Sequence, residues 1–105
     1  MYKIIKNLSS AVILMAVVGM SLPATAGDAV AGKSKAMMCA GCHGADGISM
    51  SPEIPNLAGQ KEAYLAKAIR DYKTGARKNS MMQSIIAGVA DADIPDLAAY
   101  YASLK

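Results

Sequence analysis

The chain contains few of the residues that build metal sites or disulfide frameworks. Its 105 residues include two cysteines, Cys39 and Cys42, and one histidine, His43. Two cysteines form at most one disulfide, whereas small scaffolds held by disulfides usually carry about two to four. A structural zinc site needs about four cysteine or histidine ligands, and the chain has three candidates. The sequence therefore argues against both a disulfide-rich scaffold and a structural zinc site.

Patterns that indicate other protein classes are also missing. The sequence has no internal repeat, no low-complexity tract and no convincing alternation of apolar and polar residues, and the last absence argues against β-strands. Without a βαβ pattern around them, Cys39 and Cys42 do not resemble a thiol–disulfide redox pair. The formal net charge is +3, and the basic residues do not form the clustered patch of a nucleic acid-binding domain.

The two cysteines and the histidine stand together in the segment Cys39-Ala40-Gly41-Cys42-His43. The pattern C-x-x-C-H is the covalent attachment signature of c-type haem. On a helix, residues three and four apart share one face, so both cysteines can form thioethers to the two haem vinyl groups. His43 follows directly, and its imidazole can bind the iron as the proximal ligand. The motif predicts one covalently bound haem c.

The first 26 residues have the layout of a secretory signal peptide. Lys3 and Lys6 form a basic start, an apolar run follows over residues 11–20, and Ala24-Thr25-Ala26 matches an A-x-A cleavage site. The apolar run is shorter than the roughly 20 residues of a membrane span. We therefore expect cleavage after Ala26, a mature domain over residues 27–105 with a formal charge of +1, and a periplasmic location without membrane insertion.

The mature segment is predicted to be all-α. Helical spacing of apolar residues predicts four helical segments, over residues 28–42, 61–74, 80–87 and 92–104. Asp28 is the expected N-cap of the first helix, and Asp91 or Asp93 that of the last. Gly44 and Gly75 are expected to end the helices that precede them.

A loop over residues 45–60 separates the first two predicted helices. Pro52 and Pro55 argue against a helix there, because proline removes a backbone donor and crowds the preceding turn. We expect this loop to wrap the proximal side of the haem.

The second iron ligand has to be something other than histidine, because His43 is the only one in the chain. Methionine is the common partner of histidine in electron-transfer cytochromes. Met37 and Met38 lie within about one helical turn of the attachment motif, and Met50 lies in the proximal loop. Met81 and Met82 come from a distant segment that can fold over the opposite haem face. Spacing alone does not choose between these two, and core packing is the usual role of methionine.

The mature chain resembles class I cytochromes c over its whole length, and most of all the small single-haem bacterial forms and one half of the periplasmic di-haem cytochromes. The matching segments, in chain order, are Gly27-Asp28-Ala29-Val30-Ala31-Gly32-Lys33, Cys39-Ala40-Gly41-Cys42-His43-Gly44-Ala45-Asp46-Gly47, Pro55-Asn56-Leu57-Ala58-Gly59-Gln60, Tyr72-Lys73-Thr74-Gly75-Ala76-Arg77-Lys78-Asn79 and Asp96-Leu97-Ala98-Ala99-Tyr100-Tyr101. The resemblance implies an all-α fold of about four short helices and loops wrapped around one haem.

The resemblance also implies roles for individual residues. Family members bind haem through the two cysteines and the adjacent histidine. Their axial methionine follows an Asn-x-x-Met pattern, which Asn79-Ser80-Met81-Met82 matches, so Met82 is the expected ligand and Met81 the fallback. The carbonyl of a proline in a Pro-Asn-Leu context accepts a hydrogen bond from the ligand histidine, and Pro55 matches it. The chain departs from the family before its last helix, where Val89-Ala90-Asp91 replaces Leu-Ser-Asp and Pro95 is unusual.

These features predict a periplasmic electron carrier, not an enzyme, whose six-coordinate His/Met haem cycles between Fe(III) and Fe(II). Its partners would be a redox protein that donates electrons and one that accepts them. The protein itself would be a monomer or would form transient complexes. One alternative is a tightly bound cytochrome subunit of a periplasmic oxidoreductase, such as a dehydrogenase acting on sulfur compounds. Another is a five-coordinate haem enzyme or gas sensor. A docking face is hypothesised from four lysines: Lys33, Lys35, Lys61 and Lys73.

Overall fold

The computed structural model describes residues 27–105, and the predicted signal peptide lies outside them. Within this part of the chain the fold is all-α, as predicted, with no strand. Its helices are α1 (Ala29–Lys35), α2 (Met37–His43), α3 (Glu62–Thr74), α4 (Ser80–Ile86) and α5 (Asp93–Ser103). None of them is long and apolar enough to cross a membrane.

The first predicted helix is divided into α1 and α2 at Ala36. Asp28 caps α1 as predicted, since its carboxylate accepts hydrogen bonds from Val30 N at 2.9 Å and Ala31 N at 3.3 Å. The backbone N–H of Ala36 donates a hydrogen bond to the carbonyl oxygen of Lys33, three residues earlier. In an α-helix the acceptor would lie four residues earlier, so the backbone is wound more tightly here. No glycine or proline stands at this position, and Ala36 is buried in the core, so tertiary packing sets the break.

The helix α3 agrees with its prediction. It ends at Gly75, whose φ of 83° is the left-handed cap conformation. Leu65 is buried, and Ile69 and Tyr72 pack against the core from its edge. The apolar stripe is incomplete at Tyr64, which remains 51% exposed.

The start of α5 differs from its prediction. Its N-cap is Ala92, and no side chain caps it, so the expectation that Asp91 or Asp93 caps the helix was wrong. Both carboxylates are engaged elsewhere, because Asp91 pairs with Lys73 and Asp93 pairs with Lys35. Pro95 lies in the first turn of α5, where a proline is tolerated because the missing N–H has no helical partner.

The core is built where α1 and α3 pack on α5, and its largest fully buried side chains are Ile86, Ile94 and Leu97. The crossing of α1 and α5 is very close. A Cβ atom on Gly32 would lie 1.9 Å from the carbonyl oxygen of Asp96. Only glycine permits that approach, so the Gly32 position fixes how α1 crosses α5.

An ion-pair cluster joins the same two helices. The Lys35 ammonium lies 2.7 Å from Asp93 and 2.9 Å from Asp96, and Asp96 also accepts a hydrogen bond from Asp28 N at 2.9 Å. The hydrogen bond from Lys35, followed by that from the Asp28 backbone, lowers the pKa of Asp96. The carboxylates of Asp93 and Asp96 in turn raise the pKa of Lys35.

Candidate functional site

The helix α2 presents the cysteine–histidine motif. Cys39 is partly buried against the core and Cys42 is exposed, and they do not form a disulfide. His43 is the last residue of α2 and is only 6% exposed. The motif therefore combines a sheltered sulfur, an exposed sulfur and a buried imidazole on two turns of helix.

The imidazole of His43 is held from behind by the loop that follows it. Its Nδ1 lies 2.8 Å from the carbonyl oxygen of Pro55. Because a carbonyl oxygen only accepts hydrogen bonds, Nδ1 carries the proton and donates it. The neutral ring then has its lone pair on Nε2, which is the form of histidine that binds metals.

The loop over residues 45–60 is closed on itself. The carbonyl of Gly47 accepts hydrogen bonds from Leu57 N at 2.8 Å and Ala58 N at 3.1 Å. Inside this closure, Ser49 N donates to the Asn56 side chain at 2.7 Å. The loop thus holds the segment around Pro55 in a defined position behind His43.

Burial separates Met82 from the other methionines of residues 27–105. Met82 packs against the core cluster, whereas Met81, its neighbour, is 64% exposed and Met50 is fully exposed. Met37 and Met38 are exposed as well. The backbone N–H of Met82 donates to the side chain of Asn79 at 3.0 Å, which caps α4. The predicted ligand and its fallback therefore lie in different environments.

A cavity of about 360 Å³ lies beside the exposed cysteine. Cys42 and Gly44 line it from α2 and its C-terminus, and Met50 and Ile54 line it from the loop. Among residues 27–105, no three His, Cys, Asp or Glu side chains are grouped so as to hold a metal ion.

The surroundings of Cys39 include a residue that sequence reasoning did not single out. The side chain of Tyr101, on α5, lies near the Cys39 sulfur. Burial raises the pKa of the Cys39 thiol, and the neighbouring Tyr101 hydroxyl offsets part of that rise. Burial, followed by the nearby Cys39, raises the pKa of Tyr101 far above its ordinary value. In the sequence Tyr101 was one of several apolar residues in the last helix, with no local signal for this contact.

Comparison with known proteins identifies the family. The sequence model of the family described as Cytochrome c matches residues 27–105. The chain is 50% identical over 80 residues to the protein named cytochrome c4 of Pseudomonas aeruginosa, covering 76% of this chain and 40% of that one. It is 46% identical over 81 residues to cytochrome c-554(548) of Halomonas halodenitrificans, covering 74% of this chain and 98% of the relative.

A further relative and a solved structure extend this comparison. A protein of Stutzerimonas stutzeri named thiosulfate dehydrogenase electron acceptor is 43% identical over 65 residues, covering 61% of this chain and 30% of that one. The crystal structure of reduced recombinant cytochrome c4 from Pseudomonas stutzeri superposes with a TM-score of 0.72 at 43% identity, over 76% of this chain and 47% of that one.

These matches differ in how much of each relative they cover. The chain spans about half or less of the length of the cytochrome c4 proteins that it matches, but nearly all of cytochrome c-554(548). The family match covers every residue that the structure describes. The chain therefore belongs to the cytochrome c family and is a class I c-type cytochrome.

Proposed function

We propose that the chain is a periplasmic electron carrier that binds one haem c. Cys39 and Cys42 would hold it covalently, and His43 and Met82 would bind its iron. The observation that carries this proposal is the 2.8 Å hydrogen bond from His43 Nδ1 to Pro55 O, because it leaves Nε2 available to a metal.

The residues of the site fit a c-type haem. The two cysteines form no disulfide bond and lie three residues apart on α2. Cys39 is partly buried and Cys42 is exposed, which suits two attachment points at the edge of the core. The cavity beside Cys42 gives space at the exposed attachment point. Met82 packs against the core, whereas Met81 is exposed, and this difference favours Met82 as the iron ligand.

A bound haem supplies an iron that changes between Fe(III) and Fe(II), and His/Met ligation raises its reduction potential. The chain's own residues supply the rest. Pro55 fixes the orientation of the His43 ring and raises the basicity of its free nitrogen. Asn79 fixes the start of α4 and with it the backbone of Met82. Both residues hold the iron ligands in place, which suits a proposed role in electron transfer.

Export completes this proposal. Residues 1–26 would be removed as a signal peptide, which fits the family match beginning at residue 27. N-terminal sequencing of the exported protein tests this point: Gly27 is expected as the first residue, and an intact Met1 would contradict it.

The optical spectrum of the holoprotein tests the ligand set. A weak absorption band near the red end of the oxidised spectrum is diagnostic of methionine sulfur bound to Fe(III). We expect Met82→Ala to lose this band and Met81→Ala, the matched neighbour, to keep it. The opposite result would assign the ligand to Met81. A wild-type protein without the band would favour the five-coordinate enzyme or sensor.

A second candidate function is a subunit bound tightly to an oxidoreductase. The relative named thiosulfate dehydrogenase electron acceptor motivates it, because that name pairs a similar protein with one oxidoreductase. Gel filtration of the native protein distinguishes the two functions. Elution as a free monomer supports the shuttle, and elution with an oxidoreductase at a fixed ratio supports the subunit.

The lysines proposed for docking fall into two groups. Lys35 is held by Asp93 and Asp96, and Lys73 by Asp91 and the Val89 carbonyl. Lys33 and Lys61 are exposed and have no carboxylate within ion-pair distance among residues 27–105. The docking hypothesis therefore rests on Lys33 and Lys61, since the other two are engaged within the fold.

A further inference from the structure

Gly27 is packed tightly against the first turn of α5. A Cβ atom on Gly27 would lie 1.8 Å from the carbonyl oxygen of Pro95 and 2.7 Å from the backbone nitrogen of Asp96. The next residue is fixed to the same helix, because Asp28 N donates a hydrogen bond to the Asp96 carboxylate at 2.9 Å. The start of the predicted mature domain therefore has a defined place in the fold, and that place suits glycine.

The backbone nitrogen of Gly27 also faces a carboxylate. It donates a hydrogen bond to Glu62 Oε1 at 3.3 Å, and the contact is partly buried. Glu62 is the first residue of α3. Among residues 27–105, no lysine or arginine lies within ion-pair distance of Glu62. The nitrogen of Gly27 is thus a partner for this carboxylate, and no side-chain cation in that part of the chain competes for it.

Cleavage after Ala26 would change the charge of this contact. Hydrolysis of the bond between Ala26 and Gly27 consumes one water molecule: its hydroxyl group goes to the Ala26 carbonyl carbon and its hydrogen to the Gly27 nitrogen. That nitrogen, neutral in the peptide bond, becomes an ammonium at neutral pH, because α-amino groups have a pKa of about 7.7–8.0. The ammonium and the Glu62 carboxylate carry opposite charges and attract each other. Cleavage would therefore add an ion pair to a contact that the fold already provides.

We propose that removal of the signal peptide completes the fold, because the new ammonium of Gly27 pairs with Glu62 and ties the N-terminus to α3 while its backbone packs on α5. This inference rests on the proposed export, since it needs a mature chain that begins at Gly27. The uncut chain lacks this ion pair, and a cut at another residue would place the ammonium away from Glu62.

The competing explanation is that Glu62 only stabilises the start of α3. A carboxylate in the first turn of a helix interacts favourably with the helix dipole, and Lys61, the N-cap of α3, makes no side-chain capping bond. Inserting two serines between Ala26 and Gly27 separates the two explanations. The insertion moves the ammonium away, keeps the Gly27 N–H as a donor to Glu62, and leaves α3 unchanged.

The experiment is a double-mutant cycle on exported holoprotein, with the N-terminal residue of each variant identified by mass spectrometry. It compares urea unfolding of the wild type, the insertion, Glu62→Gln and the two changes combined, at about pH 6.5, where an α-amino group is protonated. We expect the insertion to raise the unfolding equilibrium constant about two- to fivefold, the range of a partly exposed ion pair. The two changes combined should cost less than the sum of the single changes, because both remove the same pair.

Glu53→Gln is the matched control for the cycle. It also neutralises one glutamate, and no basic side chain lies within ion-pair distance of Glu53 in residues 27–105. Its effect on unfolding should be the same with and without the insertion, because its carboxylate does not pair with the N-terminus.

A pH series gives a readout that a role confined to the start of α3 would not change. An ammonium paired in the folded protein has a raised pKa, so its contribution is complete below its unfolded pKa of about 8 and is lost as the pH rises through the folded value. The difference in stability between the wild type and the insertion should therefore shrink towards about pH 9.5. The other ionisable groups that flank the N-terminus from α1, α3 and α5 are carboxylates and lysines, types that keep their charge over most of this range. They are Asp28, Lys35, Lys61, Glu62, Asp93 and Asp96.

Two results of the cycle would overturn the inference. One is an equal cost of Glu62→Gln with and without the insertion, which would confine the role of Glu62 to the start of α3. The other is an unchanged unfolding constant in the insertion protein. If Glu62→Gln does not accumulate, the pH series decides without it, and a difference that stays constant with pH overturns the inference. A first residue other than Gly27 in the exported wild type would contradict the proposed cleavage site and this inference with it, whereas the other results leave the cleavage site intact.

Discussion

Asn79 and Met82 are joined by a hydrogen bond of 3.0 Å from the Met82 backbone N–H to the Asn79 side-chain oxygen. The bond is the N-cap of α4, and it satisfies one of the donors that the first turn of a helix leaves without a partner. The residue that starts the helix therefore also fixes the backbone of the proposed iron ligand.

Replacing Asn79 with alanine is expected to weaken the attachment of Met82 to the iron. Loss of a side-chain N-cap costs about 1 kcal/mol, and here the loss falls on the turn that carries the ligand. The methionine–iron absorption band should disappear at a lower guanidinium concentration in Asn79→Ala than in the wild type. Ser80→Ala is the control, because α4 is capped by Asn79 and not by Ser80. An unchanged midpoint in Asn79→Ala would contradict the proposed link.

The crossing of α1 and α5 gives a prediction about stability alone. A Cβ on Gly32 would lie 1.9 Å from the Asp96 carbonyl oxygen and 2.8 Å from Tyr100 Cβ. Gly32→Ala must therefore push the two helices apart, at a cost of about 3 kcal/mol, the upper end for an overpacked core. Urea unfolding of the holoprotein measures this.

The control for Gly32→Ala is Gly41→Ala, which lies in α2 and meets no heavy atom within 4 Å. In that position alanine is expected to be neutral or to stabilise the protein by up to about 1 kcal/mol, because it favours the helix more than glycine does. Equal unfolding free energies for the two variants would show that α1 and α5 adjust their distance freely.

The helices were predictable from the sequence because their signals are local. Apolar residues at helical spacing and the glycine at residue 75 define α3, and Asp28 is a residue type that caps helices well. The break at Ala36 was not predictable, because no residue near it disfavours a helix. The start of α5 was predicted wrongly, because Asp91 and Asp93 each have a lysine partner that the local sequence does not reveal.

The candidate site likewise contains some contacts that the sequence predicts and others that it does not. The motif itself is contiguous, and the contact between His43 and Pro55 follows a family pattern that the sequence shows. The hydrogen bond from Gly59 N to the Tyr101 carbonyl joins α5 to the end of the loop behind His43 and depends on how these elements pack. Long-range contacts of this kind leave no mark on the spacing of nearby residues, so the structure was needed to find Tyr101.

Lys73 is expected to matter for stability, not for docking. Its ammonium lies 2.6 Å from the carbonyl oxygen of Val89, a buried residue, and 2.6 Å from Asp91. The bond to the carbonyl ties the last turn of α3 to the segment before α5. Lys73→Met should lower the free energy of unfolding by about 1 kcal/mol, the net value of one hydrogen bond. The exposed pair with Asp91 should add little.

Lys61→Met is the control for Lys73→Met, because Lys61 is exposed and has no carboxylate within ion-pair distance among residues 27–105. It should leave urea unfolding unchanged and instead slow electron transfer with an acidic partner at low salt, where exposed charges act over longer distances. A loss of stability in Lys61→Met equal to that in Lys73→Met would contradict the assignment of Lys73 to stability and of Lys61 to docking.

Acid should weaken the contact between α1 and α5 through Asp96. Its pKa is lowered in the folded protein, first by the hydrogen bond from Lys35 and then by that from the Asp28 backbone. A carboxyl group with a lowered folded pKa stabilises the protein fully above its unfolded pKa of about 3.9. That contribution is lost as the pH falls through the folded pKa. The urea midpoint of the wild type should therefore drop between about pH 5 and pH 2.

Asp96→Asn should remove part of this pH dependence. The variant is expected to be less stable than the wild type at pH 6, and the difference should shrink as the pH approaches 2, because the wild-type carboxylate is then protonated as well. Urea is the suitable denaturant, since it does not screen the ion pair with Lys35. Glu53→Gln is the control, because no basic side chain lies within ion-pair distance of Glu53 in residues 27–105. A constant difference between Asp96→Asn and the wild type over this pH range would show that Asp96 acts through packing and not through its charge.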